Sequence, residues 1–237
     1  MARKRPFDEM RSVRLHMGFT DATPGSVLIE MGGTKVLCTA AVEEKRPPWI
    51  TGRDHGWVTA EYAMLPGSSD RRIRRDHYQK GRALEISRLI GRSLRSVVNM
   101  KTMGECAIRV DCDVIQADGG TRTAAITGGW IAMTEALRWA AEQGIASRSA
   151  VFDQVAAVSV GLVDGEVLLD LDYADDSSAD VDMNVVMSGR GLLVEVQGSA
   201  EGALFDRTDL DVMLDLAHQG ISELLSAQRQ AVDFPVS

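Results

Sequence analysis

Apolar and polar residues alternate along several short stretches of the chain, and this period of two predicts β-strands. The stretch 34–42 is the clearest, because Val36, Cys38 and Ala40 share one face. Further strands are predicted at 27–31, 57–64, 107–116, 155–163, 166–173, 181–188 and 192–199. Glycine-containing turns separate three pairs of these strands: Gly32-Gly33, Asp164-Gly165 and Gly189-Arg190-Gly191. The pattern therefore predicts three hairpins.

Three longer stretches carry apolar residues at helical spacing, at 82–98, 121–142 and 208–227. The first is predicted to bury one face, made of Ile86, Leu89, Ile90, Leu94 and Val97. Its opposite face is predicted to carry three arginines, Arg88, Arg92 and Arg95. The last is predicted to turn its Leu and Met side chains into the core.

Hairpins with helices grouped between them indicate an α+β fold with antiparallel or mixed sheets. No Pro-rich or Ser-rich linker divides the chain, so a single domain over 1–237 is expected. Both halves run hairpins and then a helix, which suggests an internal duplication. An apolar content of 45% with 25% charged residues is ordinary for a globular protein.

The net charge of −8 argues against a nucleic-acid partner, but the charge is unevenly distributed. Between Asp70 and Arg95 there are nine basic residues and only three acidic ones. A concentrated basic patch on an acidic body suits local capture of a polyanion, because salt screens distant charges. A solvated basic face is the alternative.

The chain also gives expectations about location. No window is long and apolar enough for a membrane span, and the basic N-terminus lacks the apolar core of a signal peptide. Cys38, Cys106 and Cys112 show no CxxC spacing and fall in or beside apolar runs. Reduced, buried thiols and a cytoplasmic location without membrane association are expected.

The segment 116–123, Gln-Ala-Asp-Gly-Gly-Thr-Arg-Thr, joins a predicted strand to a predicted helix. Gly119 and Gly120 allow a sharp turn that presents free N–H groups, and the helix start adds its positive dipole end. Thr121 and Arg122 add a donor and a fixed charge. An anion site, most plausibly for phosphate, is predicted here, and a glycine-capped turn with a solvated arginine is the alternative.

Other features could serve the same chemistry. Gly81-Arg82 starts the preceding helix and forms a second helix N-terminus with a guanidinium beside it. Four arginines in the loop 66–80 could follow a phosphodiester backbone: Arg71, Arg72, Arg74 and Arg75. An acidic group lies between two hairpins: Asp170, Asp172, Asp175, Asp176, Asp180 and Asp182.

No side-chain nucleophile is evident. The four histidines are scattered, and neither a Gly-x-Ser-x-Gly motif nor a Cys/His pairing occurs. If inorganic phosphate is itself the nucleophile, the site needs only to hold it in line, to neutralise charge, and to supply a carboxylate for Mg²⁺ or proton transfer. The residues above match that requirement.

Four segments closely resemble the bacterial ribonuclease PH family, which is related to polynucleotide phosphorylase and to the catalytic subunits of the archaeal exosome. The segments are 81–95, 111–128, 175–187 and 194–202. They include Gly-Arg-Ala-Leu-Glu, Ala-Asp-Gly-Gly-Thr-Arg-Thr, Asp-Asp-Ser-Ser-Ala-Asp-Val-Asp-Met-Asn and Gln-Gly-Ser-Ala-Glu-Gly. The resemblance extends from about Arg11 to the C-terminal helix.

This resemblance implies a phosphorolytic 3′→5′ exoribonuclease that trims the 3′ ends of tRNA precursors, releases nucleoside diphosphates and runs in reverse as a nucleotidyltransferase. The matching positions imply phosphate binding by Arg82, Gly120, Thr121 and Arg122, with Arg122 also catalytic. Asp176 and Asp182 are implied as metal ligands, for Mg²⁺, or as the general acid. Glu201 is implied as an orienting or interface residue. A hexamer, a trimer of dimers, is the implied assembly.

Some positions depart from the family pattern. Ala83 follows Arg82 where threonine is usual, the loop before Arg82 is shortened, and Ser12, Met17 and Pro48 replace common residues. These changes leave open an RNA-binding ring subunit with little or no catalysis. A second alternative is a hydrolytic nuclease that uses the aspartates to hold two metal ions.

Overall fold

The computed structural model describes residues 3, 5–43, 45–50, 52–76 and 81–234. Nine strands, five α-helices and one short 3₁₀ helix (Pro48–Ile50) occur within these ranges. The strands are β1 (Val13–Met17), β2 (Gly25–Met31), β3 (Thr34–Glu43), β4 (Trp57–Met64), β5 (Ala107–Gln116), β6 (Val155–Val163), β7 (Glu166–Leu169), β8 (Val181–Ser188) and β9 (Leu193–Ala200). The helices are α1 (Gly81–Arg95), α2 (Met100–Met103), α3 (Thr121–Glu142), α4 (Tyr173–Ser178) and α5 (Arg207–Val232).

The strands form two sheets, as an α+β fold requires. The first has the order β1-β2-β3-β5-β4 and is antiparallel except for the parallel pair β4–β5. The second has the order β7-β6-β8-β9 and is antiparallel throughout. The three predicted hairpins are confirmed as β2–β3, β6–β7 and β8–β9.

Helix α3 forms the centre of the fold, since it packs against strands of both sheets. Its residues from Thr123 to Thr134 are all buried, which is the pattern of a helix that is apolar on every side. Helix α5 packs on β6 and β7 and also contacts α3. The start of α3 is thereby fixed relative to both sheets.

Helix α1 covers the free edge of β4 with polar groups. Ser87 Oγ accepts a hydrogen bond of 2.9 Å from Tyr62 N, and Arg95 donates one of 2.9 Å to Val58 O. The guanidinium of Arg95 also lies over the Trp57 ring, 4.8 Å from its centroid. Arg95, one of the three arginines predicted on the face opposite the apolar one, thus supplies a hydrogen-bond donor to the strand edge.

One predicted strand is too long. The stretch 166–173 was predicted as strand, but β7 ends at Leu169. Asp170 adopts a left-handed backbone (φ 55°), and Asp172 then caps the short helix α4 by accepting hydrogen bonds from Ala174 N and Asp175 N. Strand β1 and the short helices α2 and α4 were not predicted. Residues 77–80 of the predicted basic loop 66–80 lie outside the described residues.

Candidate active site

The loop between β5 and α3 has the geometry of an anion site. Gly119 (φ 72°) and Gly120 (φ 64°) both lie in the left-handed region, and a Cβ at Gly119 would stand 2.5 Å from Leu171 O. Gly120 is the N-cap of α3 and makes no side-chain capping bond. The first N–H groups of the helix are thus uncapped by a side chain, which leaves them for a negatively charged ligand.

The side chains of Thr34 and Arg11 form hydrogen bonds with the backbone of this loop. Thr34 Oγ1 accepts a hydrogen bond from Asp118 N (2.9 Å) and donates one to Gly119 O (2.5 Å). Arg11, which is buried, donates from Nη1 to Asp118 O and pairs through Nη2 and Nε with Asp170. The loop conformation is therefore set by β3 and by the N-terminal segment as well as by its glycines.

Arg122 is held in place at the start of α3. Its Nη1 donates a 2.7 Å hydrogen bond to Gln197 Oε1 on β9 and lies 3.6 Å from Glu85 Oε1 on α1. Its side chain is only 15% exposed. A guanidinium restrained from two sides is pre-organised, so it can stabilise charge without first having to be ordered.

The two predicted catalytic carboxylates lie near both predicted phosphate-binding arginines. The pKa of Asp182 is raised to about 6, mainly by burial and next by the charge of Asp176, while Arg122 opposes the shift. Desolvation also raises the pKa of Asp176, and Arg82 opposes that shift most strongly among the neighbouring charges. Although Asp176 is exposed as a residue, its carboxyl group thus shares one electrostatic environment with Asp182, Arg82 and Arg122.

The sheet register explains how Asp182 meets Arg122. Asp182 pairs with Ser199 and Asn184 pairs with Gln197 across β8 and β9. Because side chains alternate along a strand, all four lie on one face of the sheet. Gln197, which accepts the hydrogen bond from Arg122, is therefore a diagonal neighbour of Asp182 on this face of the sheet. Arg82, on α1, is exposed, and its charge lowers the pKa of both Asp176 and Asp182.

The remaining aspartates of the acidic group have structural partners. Asp170 is fully buried and pairs with Arg11, while Asp175 is buried and accepts from Arg3 Nη1 at 2.8 Å. Asp172 caps α4. The backbone oxygen of Asp180 accepts hydrogen bonds from Glu201 N (2.8 Å) and Gly202 N (3.1 Å). This last contact brings Glu201 near Asp176 and Asp182, whose pKa values its charge raises.

The arginine-rich loop begins beside the anion site. Ala117 N donates to Ser68 O at 2.7 Å, and Ile73 N donates to Pro66 O at 3.0 Å, so the loop is anchored next to Asp118. Arg71, Arg72, Arg74 and Arg75 are all exposed. Arg74 also lies 3.2 Å from Asp76. The loop thus presents its charges to solvent close to the α3 N-terminus.

Three residues of the site were missed by the sequence reasoning: Tyr62, Gln197 and Arg11. The alternation of β4 marks Tyr62 only as a core residue, yet its hydroxyl lies 2.7 Å from Thr121 Oγ1. Gln197 and Arg11 act through contacts with residues 75 and 159 positions away in the chain. Local patterns carry no signal for such pairs.

The acidic pair fits Mg²⁺ only if the substrate completes the coordination. Within the described ranges, no three His, Cys, Asp or Glu side chains are grouped so that they could hold a metal ion. Mg²⁺, however, is commonly bound by one or two carboxylates together with substrate phosphates and water. Asp176 and Asp182 supply the hard oxygen donors that such a site needs.

Two further expectations can be compared with the structure. Cys38, Cys106 and Cys112 are free and buried, as predicted. In the part of the chain that the structure describes, none of the helices combines the length and apolar character needed to cross a membrane.

Solved structures define the class of fold. The chain superposes on a chain of the Archaeoglobus fulgidus exosome with RNA bound to the active site, with a TM-score of 0.79 and 20% identity over 94% of this chain and 90% of that one. An archaeal exosome core gives a TM-score of 0.75 and 21% identity, over 95% and 89%. At these identities the likeness shows a shared fold.

Sequence comparisons identify the family. The family models for domains 1 and 2 of the 3′ exoribonuclease family match residues 9–138 and 153–220. Ribonuclease PH of Syntrophomonas wolfei is 54% identical over 94% of both chains. Ribonuclease PH of Mesorhizobium japonicum is 52% identical over 97% of this chain and 98% of the relative. The chain therefore belongs to the 3′ exoribonuclease family, in the branch formed by ribonuclease PH.

This membership confirms the predicted family, the α+β class and the predicted activity, a phosphate-dependent 3′ exoribonuclease. It is consistent with the predicted part in tRNA processing. It favours phosphorolysis over a non-catalytic ring subunit or a hydrolytic nuclease. Whether 1–237 acts as one domain, and whether its halves arose by duplication, stay predictions.

Proposed function

We propose that orthophosphate binds between Arg82, Arg122 and the N-terminus of α3, and that it attacks the terminal linkage of tRNA precursors. The observation that carries this proposal is the joint presence of uncapped helix N–H groups and two arginines beside two partly desolvated carboxylates. Gly120 and Thr121 would contact the phosphate at the helix start.

The proposed reaction is a displacement at phosphorus. An oxygen of orthophosphate forms a bond to the phosphorus of the last phosphodiester, and the bond from that phosphorus to O3′ of the preceding nucleotide breaks. The terminal residue leaves as a nucleoside 5′-diphosphate, and O3′ takes up a proton. The reverse reaction adds a nucleotide and releases phosphate. Arg82 and Arg122 would neutralise the charge that gathers on the phosphoryl oxygens.

Asp176 and Asp182 have two possible roles in this scheme. As carboxylates they would hold Mg²⁺ together with substrate oxygens, and the metal would neutralise charge when bound. Alternatively, Asp182 would hold the proton that O3′ receives, a role supported by its pKa of about 6. The pH dependence of kcat at saturating phosphate separates them, since kcat rises through this pKa for a metal ligand and falls for a general acid.

RNA would reach the site along the arginine-rich loop. Four exposed arginines anchored beside Asp118 are placed to follow the sugar–phosphate backbone of a single-stranded 3′ end. The structurally similar Archaeoglobus fulgidus exosome, which has RNA bound to its active site, supports this proposal.

We also propose a ring-shaped homo-oligomer, with six subunits arranged as a trimer of dimers. Strand β9 forms an edge of the second sheet and carries exposed apolar side chains, among them Leu193 (54%) and Val196 (41%). Such an edge is normally covered. Light scattering coupled to gel filtration tests the proposal through the mass of the particle. A cytoplasmic location, supported by the free thiols, belongs to the same set of proposals.

The phosphate site can be tested without RNA. A ligand that binds only the folded state raises the melting temperature, so orthophosphate should raise the Tm of the wild type. The rise should be largely lost in Arg82→Ala and Arg122→Ala. It should persist in Arg207→Ala, which changes an exposed arginine on α5. Equal phosphate-induced shifts in all four proteins would contradict the site.

A further inference from the structure

Tyr62 connects the two helices that carry Arg82 and Arg122, the arginines of the proposed phosphate site. It lies on β4 and is 3% exposed. Its hydroxyl is 2.7 Å from Thr121 Oγ1, at the first residue of α3. Its backbone N donates to Ser87 Oγ on α1 at 2.9 Å, and this hydroxyl donates in turn to Ala83 O at 2.8 Å. One buried residue thereby contacts both helices within their first two turns.

The direction of the Tyr62–Thr121 hydrogen bond follows from the neighbouring groups. In the described part of the chain, Thr121 Oγ1 is the hydrogen-bond partner that the Tyr62 hydroxyl reaches. The charges closest to this hydroxyl include those of Arg82 and Arg122, which have donors and no acceptor. A buried phenol that lacks an acceptor is costly, so Tyr62 donates and Thr121 Oγ1 accepts.

The Tyr62 hydroxyl keeps its proton under ordinary conditions. Burial raises its pKa, and this outweighs the opposing effects of the bond to Thr121 and of the two arginines. Tyr62 is therefore a lasting donor. The single hydrogen of the Thr121 hydroxyl then points away from Tyr62, so it is free to be donated to an acceptor such as a bound anion.

We infer that Tyr62 is a positioning residue for phosphate binding: its hydroxyl fixes the rotation of the Thr121 hydroxyl so that Thr121 donates to the bound orthophosphate. Tyr62 itself does not touch the phosphate. The inference rests on the proposed phosphate site and adds to it a buried group that sets the direction of one donor. A donor that is already oriented loses little entropy on binding, which favours affinity.

The test compares steady-state kinetics of Tyr62→Phe, Thr121→Val and the double variant with those of the wild type. Tyr62→Phe removes one oxygen and keeps the ring. It should raise the KM for phosphate roughly three- to tenfold, the scale of one hydrogen bond, with kcat and the KM for RNA within about twofold. Thr121→Val should raise the phosphate KM at least as much. The double variant should match Thr121→Val, because Tyr62 acts only through Thr121.

Ser87→Ala is the matched control. It removes the contact of Tyr62 with α1 but keeps the hydroxyl pair, so the phosphate KM should stay near that of the wild type even if the Tm falls. A Tyr62→Phe variant that loses Tm without any rise in phosphate KM would overturn the inference. So would a double variant in which the two effects multiply. If Thr121→Val and Arg122→Ala both leave the phosphate dependence unchanged, the phosphate site itself is refuted, and the inference with it.

Discussion

Arg11 and Asp170 form an ion pair in the interior of the protein, with Nη2 2.7 Å from Oδ1 and Nε 2.9 Å from Oδ2. Asp170 is fully buried and Arg11 is 8% exposed. The same guanidinium donates to Asp118 O, at the loop that precedes α3. The pair therefore links the N-terminal segment, the second sheet and the anion site.

Asp170→Asn should destabilise the fold strongly. The variant keeps the shape of the side chain but leaves the buried charge of Arg11 without its partner, a change that costs about 3–5 kcal/mol. Urea unfolding followed by circular dichroism measures the free energy of unfolding. Glu61→Gln is the control, because Glu61 pairs with Arg109 at the surface and its loss should cost about 1 kcal/mol or less. Equal losses in the two variants would contradict the account.

Arg122→Ala should lower kcat by roughly 10²–10³, on the scale of removing one pre-organised donor from a charged transition state. Gln197→Ala keeps the guanidinium but frees it from its 2.7 Å hydrogen bond, so a smaller loss is expected. Arg148→Ala, at an exposed arginine beyond the far end of α3, should leave kcat unchanged. Rates of nucleotide release at saturating phosphate and RNA provide the comparison. Near-normal kcat in Arg122→Ala would exclude its catalytic role.

The stability of the free protein should depend on Asp182. Its pKa is raised to about 6 in the folded state, so the folded state binds this proton more tightly than the unfolded state does. The pKa of this carboxyl group in the unfolded chain is about 3.9. The proton on Asp182 contributes its full stabilisation below that pH, and the stabilisation is lost as the pH rises through the folded pKa of about 6. Ionised Asp182 is therefore a destabilising group at neutral pH.

Asp182→Asn should accordingly gain in Tm relative to the wild type, by an amount that grows between about pH 4 and about pH 7, measured without metal or phosphate. Either ligand would stabilise the ionised form and hide the effect. A Tm difference that stays constant over this range would show that the carboxyl group is not perturbed.

The arginine-rich loop should control the salt dependence of RNA binding. Each phosphate contact to single-stranded RNA contributes about 0.7 to the slope of log K against log salt. Replacing Arg71, Arg72, Arg74 and Arg75 by alanine should therefore reduce the slope by up to about 3. Fluorescence anisotropy with a single-stranded RNA gives the slope, and Arg148→Ala with Arg207→Ala serves as the control pair. An unchanged slope would remove the loop from the RNA path.

The local pattern predicted the regular elements well. The bounds of β4, β5, β6, β8 and α3 agree with the structure. The alternation or helical period of these segments reflects which side chains are buried, and it can be read from residues that are neighbours in the sequence. Strand β1 was not predicted, although apolar and polar residues alternate along Val-Arg-Leu-His-Met; only Val13 and Leu15 in it are even partly buried. β7 ends early because Asp170 pairs with Arg11, a distant residue that no local pattern reveals.

The residues of the candidate site were predicted one by one, whereas the contacts between them were not. Gly119, Gly120 and Arg122 stand out because a strand, two glycines and a helix are adjacent in the sequence. The positions of Asp176 and Asp182 were implied by resemblance alone, since neighbouring aspartates such as Asp172 and Asp175 look the same in the sequence and have structural partners. Tyr62 and Gln197 could not be found, because only the folded chain brings them to α3.

The most direct measurement incubates a tRNA precursor carrying extra 3′ nucleotides with the protein, with and without inorganic phosphate, and identifies the released nucleotides by chromatography. Phosphorolysis would release nucleoside diphosphates in the presence of phosphate and nothing in its absence. Nucleoside monophosphates released in phosphate-free buffer would contradict it.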